Sequence, residues 1–181
     1  PSGTKKAQNR PVVIGFGPAG MFCALMLAKA GFKPLVLEQG ASIEERVEKV
    51  ERFFAGGELD VRSNVQFGEG GAGTFSDGKL NTLVKDAYGR GSLVLETFAK
   101  HGAPNEITYI NKPHIGTDLL RNVVVSIRKE IERLGGKIQF NTKVTDIEYE
   151  NQRLTKLICS DKIVECSIAV MAIGHSSRDT F

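Results

Sequence analysis

Short apolar runs alternate with a helix-like stretch over the first part of the chain. Residues 11–15 read PVVIG and residues 33–38 read KPLVLE, and both are typical of buried strands. Between them, residues 21–30 form an apolar helical stretch that ends at Gly31. A strand, a turn, a helix and a second strand in such close succession predict a βαβ unit built around a parallel sheet.

The next segment combines a helix with a long irregular stretch. Ser42 and Glu45 have the spacing of a capping box, and apolar residues recur at helical intervals as far as Phe54. A helix that begins after Ser42 and buries this apolar face is therefore expected. Residues 55–81 are rich in glycine and show little periodicity, which is typical of a functional loop.

The second half of the chain alternates helices with short strands. Helices are predicted over residues 92–101 and from Thr117 or Asp118 to Leu134. Strands are predicted over residues 106–110, 137–140, 144–150, 154–159, 162–166 and 168–173. The strands between residues 137 and 166 favour an antiparallel meander with polar turns. The predicted fold class is α/β, with a parallel central sheet and an inserted antiparallel β-meander.

The strongest chemical signal is GFGPAG at residues 15–20, because a strand precedes it and a helix follows it. Gly15 permits a tight turn, Gly17 lets a pyrophosphate approach the backbone, and Gly20 lets the helix pack closely on the sheet. The start of the helix offers N–H groups and partial positive charge to phosphates, and Pro18 suits a first helical turn. This segment therefore predicts dinucleotide binding.

An acidic residue, Glu38, ends the second predicted strand, where it would accept hydrogen bonds from the adenosine ribose. Its charge would repel a 2′-phosphate, which argues against NADP at this site. The fingerprint alone does not separate FAD from NAD. However, the glycine-rich segment 68–79 stands where a simple NAD domain would continue with βα units, and its backbone can approach a flat ring or a phosphate.

Composition narrows the classes of protein further. The net charge of +3 is small and the cationic residues are scattered, so neither a nucleic acid nor a membrane surface is a predicted partner. The longest apolar run, residues 21–28, is too short to span a bilayer. The cysteines have no paired spacing and no metal-ligand cluster is visible, which favours a soluble cytoplasmic protein without a metal site. Residues 1–10 are interpreted as a linker.

The motifs together resemble the flavoprotein superfamily that includes glutathione reductase and fumarate reductase. The resemblance rests on GFGPAG (15–20), LEQG (37–40), GEGGAGTFSDGK (68–79), TKVTDI (142–147) and VMAIGH (170–175). Within that superfamily the chain most resembles a bacterial group of uncharacterised FAD-dependent dehydrogenases. The group's own signatures are matched by residues 64–82, 111–121 and 172–181. The resemblance implies a Rossmann-like FAD/NAD(P)-binding domain over residues 11–181.

The resemblance also implies, residue by residue, how FAD would be held. The pyrophosphate would be wrapped by Gly15, Gly17, Pro18, Ala19 and Gly20. The adenosine side would be bound by Glu38, Gln39 and Gly40, by the backbone of Val144 at the adenine, and by Arg46 near the ribose or pyrophosphate. The flavin half would lie beside Gly71, Ala72, Gly73 and Thr74, and the closing turn would be Ala172, Ile173 and Gly174.

The expected function is that of an FAD-dependent oxidoreductase, or of the FAD-binding part of one. The flavin would perform hydride chemistry, with a reduced nicotinamide, NAD(P)H, or another protein as electron donor and an unidentified small molecule or redox partner as the second substrate. No catalytic residue can be named. Similar proteins continue past the AIGH-like turn with a substrate domain and a final flavin-contacting segment, so an incomplete, N-terminal fragment is expected. The alternatives are a non-catalytic dinucleotide-binding module and an NAD-binding domain.

Overall fold

The computed structural model describes residues 9–76, 78–80, 86–110, 112–175 and 177. The strands are β1 (Val12–Ile14), β2 (Leu35–Leu37), β3 (Lys137–Gln139), β4 (Val144–Glu150), β5 (Arg153–Cys159), β6 (Ile163–Glu165) and β7 (Ala169–Met171). The helices are α1 (Pro18–Lys29), α2 (Ile43–Phe54), α3 (Arg90–Lys100) and α4 (Thr117–Arg133). Short 3-10 helices span Ala72–Phe75 and Asn105–Thr108.

Four of the strands form the parallel sheet that the sequence predicts, in the order β3-β2-β1-β7. In register, Val12 lies opposite Leu35 on one side and Ala169 on the other, and all pairs run parallel. Every residue of β1 and β2 is buried, which explains their unbroken apolar sequences. The remaining strands, β4, β5 and β6, form a separate antiparallel sheet.

Alternate residues of the parallel strands supply two apolar clusters. Val13 and Val36 join the larger cluster with residues of α1 and α4. Val12 and Leu35 join a smaller cluster with Leu157 and other residues of the antiparallel sheet. Since neighbouring residues of a strand point to opposite faces, the helices cover one face of the parallel sheet and the antiparallel sheet covers the other. The fold class predicted from the sequence is confirmed.

Two strand predictions are wrong. Residues 137–140 were expected in the meander, but β3 pairs parallel with β2, with Lys137 opposite Leu35. The helix α4 acts as the crossover that returns the chain to the edge of the parallel sheet. Residues 106–110 were expected to form a strand, whereas residues 105–108 form a 3-10 helix that buries Ile107 and begins after Pro104. A proline followed by Asn favours a tight turn over an extended strand.

The bounds of α2 match the prediction, but the expected capping bond and the burial of its last apolar residue do not. Ser42 is the N-cap residue, but its side chain makes no capping hydrogen bond. Phe54, expected on the buried face, is 74% exposed because the helix ends there, beyond its last buried residue, Val50. In α1 the helix begins at Pro18, earlier than the predicted residue 21, because the fingerprint itself forms its first turn. Residues 1–8 of the predicted linker lie outside the described residues.

Candidate functional site

The fingerprint meets two other predicted segments where the parallel strands end. The amide of Gly15 donates to the carbonyl of Leu37 at 2.8 Å, which joins the fingerprint to the end of β2. The amide of Ala172 donates to the carbonyl of Ile14 at 2.8 Å, which joins the turn after β7 to the end of β1. Ligands of open α/β sheets bind beyond the carboxyl ends of such strands.

Two glycines of the fingerprint are required by the protein itself. Gly15 has a φ of +97°, and a Cβ there would lie 2.5 Å from the carbonyl oxygen of Ala172. A Cβ on Gly20 would lie 2.0 Å from the carbonyl oxygen of Gly15, because α1 begins directly against the turn. Neither position can hold a side chain without moving the backbone. These two glycines would be needed whether or not a ligand binds.

Gly17 is different, since nothing among the described residues requires a glycine there. Its φ of −72° and ψ of −174° suit any residue. A Cβ would meet only the Cα of Gly71, at 3.9 Å. Gly17 is also the N-cap of α1, whose first turn has no side-chain cap and no acidic residue. The amides of Ala19 and Gly20 have no acceptor among the described residues. The space over this helix start is therefore suited to an anion.

Glu38 is fixed next to the fingerprint by backbone amides. Its Oε2 accepts a hydrogen bond from the amide of Phe16 at 2.7 Å, and its Oε1 accepts one from the amide of Gly40 at 2.8 Å. The residue is only 5% exposed. Because each carboxylate oxygen has two acceptor positions, both oxygens can still accept hydrogen bonds from hydroxyl groups.

The glycine loop, defined here as residues 68–74, packs directly on these segments. The amide of Gly70 donates to the carbonyl of Phe16 at 2.9 Å. A Cβ on Gly40 would lie 2.6 Å from the Cα of Gly68, and a Cβ on Gly71 would lie 3.4 Å from the Cα of Gly17. The backbones of Gly40 and Gly68 touch directly, while Gly71 also faces Cδ of Pro18, 3.1 Å from an added Cβ. The structure thus brings the predicted flavin-side residues against the predicted pyrophosphate-side residues.

Arg46, predicted to reach the ribose or pyrophosphate, is fully buried and holds the glycine loop. Its Nε donates to the carbonyl of Asn64, and its Nη1 lies 2.7 to 2.9 Å from the carbonyls of Glu69 and Gly71 and the hydroxyl of Thr74. Its Nη2 is buried and has no acceptor within the described residues. Burial lowers the pKa of Arg46 to about 10, so the guanidinium stays charged at neutral pH.

Glu69 is a site residue that the sequence analysis missed. It is fully buried, and its Oε2 accepts a hydrogen bond from the amide of Ile43 at 2.8 Å. Its Oε1 lies 3.1 Å from Nε of Arg128, although the two are not aligned for a hydrogen bond. Burial raises the pKa of Glu69 to about 7, against the opposing effects of the Ile43 amide and Arg128. The sequence signal that could have revealed Glu69 is a single charged residue within the segment GEGGAG at residues 68–73.

The remaining predicted residues occupy varied positions. Thr74 is buried, and its hydroxyl donates to the carbonyl of Gly71 at 2.8 Å, so it stabilises the loop itself. Val144 begins β4 and packs in the smaller apolar cluster. Two residues earlier, the amide of Thr142 donates to the carbonyl of Glu38 at 2.8 Å. The other predicted residues are either half-buried (Gln39, Gly73 and Ile173) or exposed (Pro18, Ala19, Ala72 and Gly174).

Two further features are absent from the described ranges of the chain. In those ranges no group of three or more His, Cys, Asp or Glu residues could hold a metal ion. No helix in them combines the length and the apolar character needed to cross a membrane.

Comparison with known proteins places the fold. No protein-family model matches the chain. Over 180 residues, 99% of this chain, it is 54% identical to an uncharacterized protein of Clostridium beijerinckii, and it spans only 33% of that relative's length. L-proline dehydrogenase from P. horikoshii has a similar structure, with a TM-score of 0.59 and 15% identity over 94% of this chain and 54% of that one.

A second similar structure, OTEMO in complex with FAD and NADP, has a TM-score of 0.54 and 18% identity. The match covers 94% of this chain and 26% of that one. At such identities the likeness shows the fold alone. The chain therefore has the Rossmann-like fold of FAD/NAD(P)-binding domains, with a parallel sheet, helices on one face and an antiparallel sheet on the other.

Proposed function

We propose that this chain is the FAD-binding part of an FAD-dependent oxidoreductase. The observation that carries the proposal is the open start of α1. Gly17 is a glycine that neither backbone conformation nor protein packing requires, and it lies beside amides without acceptors. A ligand that must approach the backbone closely explains the missing side chain, and a diphosphate suits the unpaired N–H groups.

On this proposal, the first turn of α1 binds the pyrophosphate. The amides of Ala19 and Gly20 would donate to its oxygens, while exposed Pro18 has no N–H to leave unpaired. Arg46 supports the same assignment, because its buried Nη2 is the one nitrogen of the guanidinium without an acceptor among the described residues. Its fixed position beside Gly71 keeps positive charge near the fingerprint.

The carboxylate of Glu38 would bind the adenosine ribose. Two amides hold it rigidly, and its unused acceptor positions suit the 2′- and 3′-hydroxyls. A 2′-phosphate would place like charges together at a buried site, so FAD and NAD are favoured over NADP there. Gln39, Gly40 and the backbone of Val144 would line the adenosine.

The glycine loop favours FAD over NAD. Gly71, Ala72, Gly73 and Thr74 would lie beside the flavin half, because the loop adjoins the pyrophosphate side at Gly17. The turn at Ala172, Ile173 and Gly174 would close over the dinucleotide. When bound, FAD supplies hydride and electron transfer, and this chain binds and orients it. The proposed partners of the whole protein are a reduced nicotinamide or a redox protein, and an unidentified substrate.

The compartment proposed from the sequence is the cytoplasm. Cys23, Cys159 and Cys166 are all free thiols, which supports a reducing environment.

The proposal is tested by comparing two N-cap glycines. Gly116 caps α4 as Gly17 caps α1: its φ is −54°, nothing lies within 4 Å of an added Cβ, and no side chain caps the helix. Both substitutions to alanine should cost a similar loss of stability, about 0.5–1 kcal/mol. Only Gly17→Ala should weaken ADP binding, by about tenfold or more, measured by isothermal titration calorimetry.

The identity of the cofactor needs a separate titration. The purified chain should bind FAD more tightly than NAD and show flavin absorption that dithionite bleaches and air restores. Tighter binding of NAD would favour the NAD-binding alternative. If ADP affinity were equal in the wild type, Gly17→Ala and Gly116→Ala, the assignment of the pyrophosphate to α1 would be wrong.

A further inference from the structure

The glycine loop is held in place by side chains, because it has little regular structure of its own. Only the 3-10 helix Ala72–Phe75 overlaps it. Four of its residues are glycines, two of them with φ near +67° to +80° and one with φ of +115°. Glycines lose much conformational freedom when fixed, so a loop of this composition needs strong anchors. Its buried charged anchors are Arg46 and Glu69, and half-buried Arg121 donates from Nε to the carbonyl of Thr74 at 3.0 Å.

Glu69 replaces Ser42 as the cap of α2. The Ser42 side chain makes no capping bond, whereas Oε2 of Glu69 accepts the hydrogen bond of the first helical amide, Ile43, from 26 residues away. A carboxylate suits this position because a helix start carries partial positive charge. The capping contact therefore ties the glycine loop to α2.

The backbone around Glu69 extends this connection to the fingerprint. Its amide donates to the carbonyl of Ala41 at 3.0 Å, and its carbonyl accepts from Nη1 of Arg46 at 2.7 Å. The next amide, that of Gly70, donates to the carbonyl of Phe16 at 2.9 Å. One residue thus contacts α2, the guanidinium and, through its neighbour, the fingerprint turn.

Charges of both signs surround the buried carboxyl. Arg128 from α4 and Arg46 from α2 are the cations, and Glu44 from α2 and Glu132 from α4 are the anions. Arg128 is shared, since its Nη2 also contacts Oε1 of Glu44 at 2.6 Å on the exposed side. A carboxyl kept in such a buried position, against the cost of desolvation, is expected to have a role that an apolar residue could not fill.

We propose that Glu69 is a positioning residue of the dinucleotide site, which fixes the glycine loop and Arg46 against the fingerprint. This inference rests on the proposed function. Glu69 does not touch the ligand: it acts through the Ile43 amide and through the loop backbone that holds Arg46 beside Gly71. Removing its acceptor oxygen releases the loop and so weakens dinucleotide binding.

The test uses Glu69→Ala, Glu69→Gln and the control Glu44→Gln. Glutamine keeps an acceptor for the Ile43 amide, whereas alanine does not. Glu44→Gln removes a carboxylate that contacts the same Arg128 but not the loop. ADP dissociation constants should rise about tenfold or more in Glu69→Ala, stay within about threefold in Glu69→Gln, and be unchanged in Glu44→Gln. Hydrogen exchange without ligand should speed up at the Ile43 and Gly70 amides in Glu69→Ala.

The outcomes separate the two proposals. Wild-type protein that binds neither ADP nor FAD would overturn the proposed function, and the role of Glu69 in binding with it. Wild-type binding that Glu69→Ala leaves unchanged, even with a lower melting temperature, would overturn only the role of Glu69 and make it a stabilising residue. If Glu69→Ala does not fold, Glu69→Gln decides: a loss as large as tenfold would contradict the capping role of the acceptor oxygen.

Discussion

The fingerprint turn at residues 15–20 and the glycine loop at residues 68–74 are both rich in glycine, but different interactions hold them. The fingerprint is fixed mainly by close backbone contacts, such as Gly20 against the carbonyl of Gly15 and Gly15 against that of Ala172. The loop is fixed by two buried charged residues, Arg46 and Glu69, over separations of 23 to 28 residues. The fingerprint turn needs positions without side chains, whereas the glycine loop needs the side chains of Arg46 and Glu69.

This difference predicts opposite responses to substitution. In the fingerprint, adding a methyl group should be harmful at Gly15 and Gly20 and tolerated by the fold at Gly17. In the loop region, removing a charged side chain should be harmful, since the buried groups that it satisfies would lose their partner. Four substitutions test this contrast.

Arg46→Ala should have the largest effect on stability. It would leave the carbonyls of Asn64, Glu69 and Gly71 without their buried donor. We expect the free energy of unfolding to fall by about 4 kcal/mol in urea denaturation. Arg52→Ala on the exposed end of the same helix is the control and should cost less than about 0.5 kcal/mol. Equal losses in the two variants would show that Arg46 is not an anchor.

Glu69→Gln should change how stability depends on pH. The pKa of Glu69 in the folded protein is about 7, above the ordinary value of about 4.3, so the folded state holds this proton more tightly than the unfolded state. This group's contribution is fully present below about pH 4 and is lost as pH rises through about 7. The stability of Glu69→Gln relative to the wild type should therefore increase between pH 5 and pH 9, by about 3 kcal/mol at most.

Denaturation series at several pH values measure this difference. Glu44→Gln, which changes a more exposed carboxylate next to the same arginine, should show no such rise. A constant difference between Glu69→Gln and the wild type from pH 5 to pH 9 would mean that Glu69 does not titrate in this range.

Gly20→Ala should destabilise the fold more than Gly17→Ala. The added Cβ at Gly20 would lie 2.0 Å from a carbonyl oxygen, so α1 would have to move, at a cost of about 2 to 3 kcal/mol. At Gly17 an added Cβ fits without a clash, and the free energy of unfolding should fall by only about 1 kcal/mol through weaker capping. Thermal unfolding of both variants measures the contrast. The reverse order would mean that the fingerprint geometry described here is wrong.

Ser42→Ala should have the smallest effect. A capping serine typically contributes about 1 kcal/mol, but this side chain makes no capping bond and Glu69 takes its place. We expect a change below about 0.5 kcal/mol in urea denaturation. A fall of about 1 kcal/mol in the free energy of unfolding would show that Ser42 caps α2 in solution, as its sequence spacing suggested.

The sequence predicted what depends on local rules. The βαβ unit, α3, α4 and the antiparallel strands followed from hydrophobic periodicity and from glycine and proline positions. The turn at the fingerprint was predictable because its glycine spacing stands between an apolar strand and a helix, although the contact of Gly15 with Ala172 could not be foreseen. Glu38 was predictable because it follows β2 directly, although the two amides that hold it could not be foreseen.

The errors concern contacts between distant residues. The capping box is absent because the Ser42 side chain makes no capping bond, and the cap that does form, from Glu69 to the Ile43 amide, comes from the distant glycine loop. The strand β3 was assigned to the wrong sheet because its short sequence suits either one, and only the crossover through α4 places it beside β2. The bonds from Arg46 to the carbonyls of Asn64, Glu69 and Gly71 were also not foreseen, although its role at the cofactor stays a prediction. Burial of a charged residue cannot be read from periodicity.

The most direct measurement of the central claim follows the amide signals of the helix starts by nuclear magnetic resonance during titration with ADP. The amides of Ala19 and Gly20 should shift strongly downfield as phosphate oxygens accept hydrogen bonds from them, while those of Asp118 and Leu119 in the first turn of α4 should not. Adenosine, which lacks phosphate, should leave Ala19 and Gly20 unshifted. ADP binding without a shift at these two amides would contradict the claim that α1 holds the diphosphate.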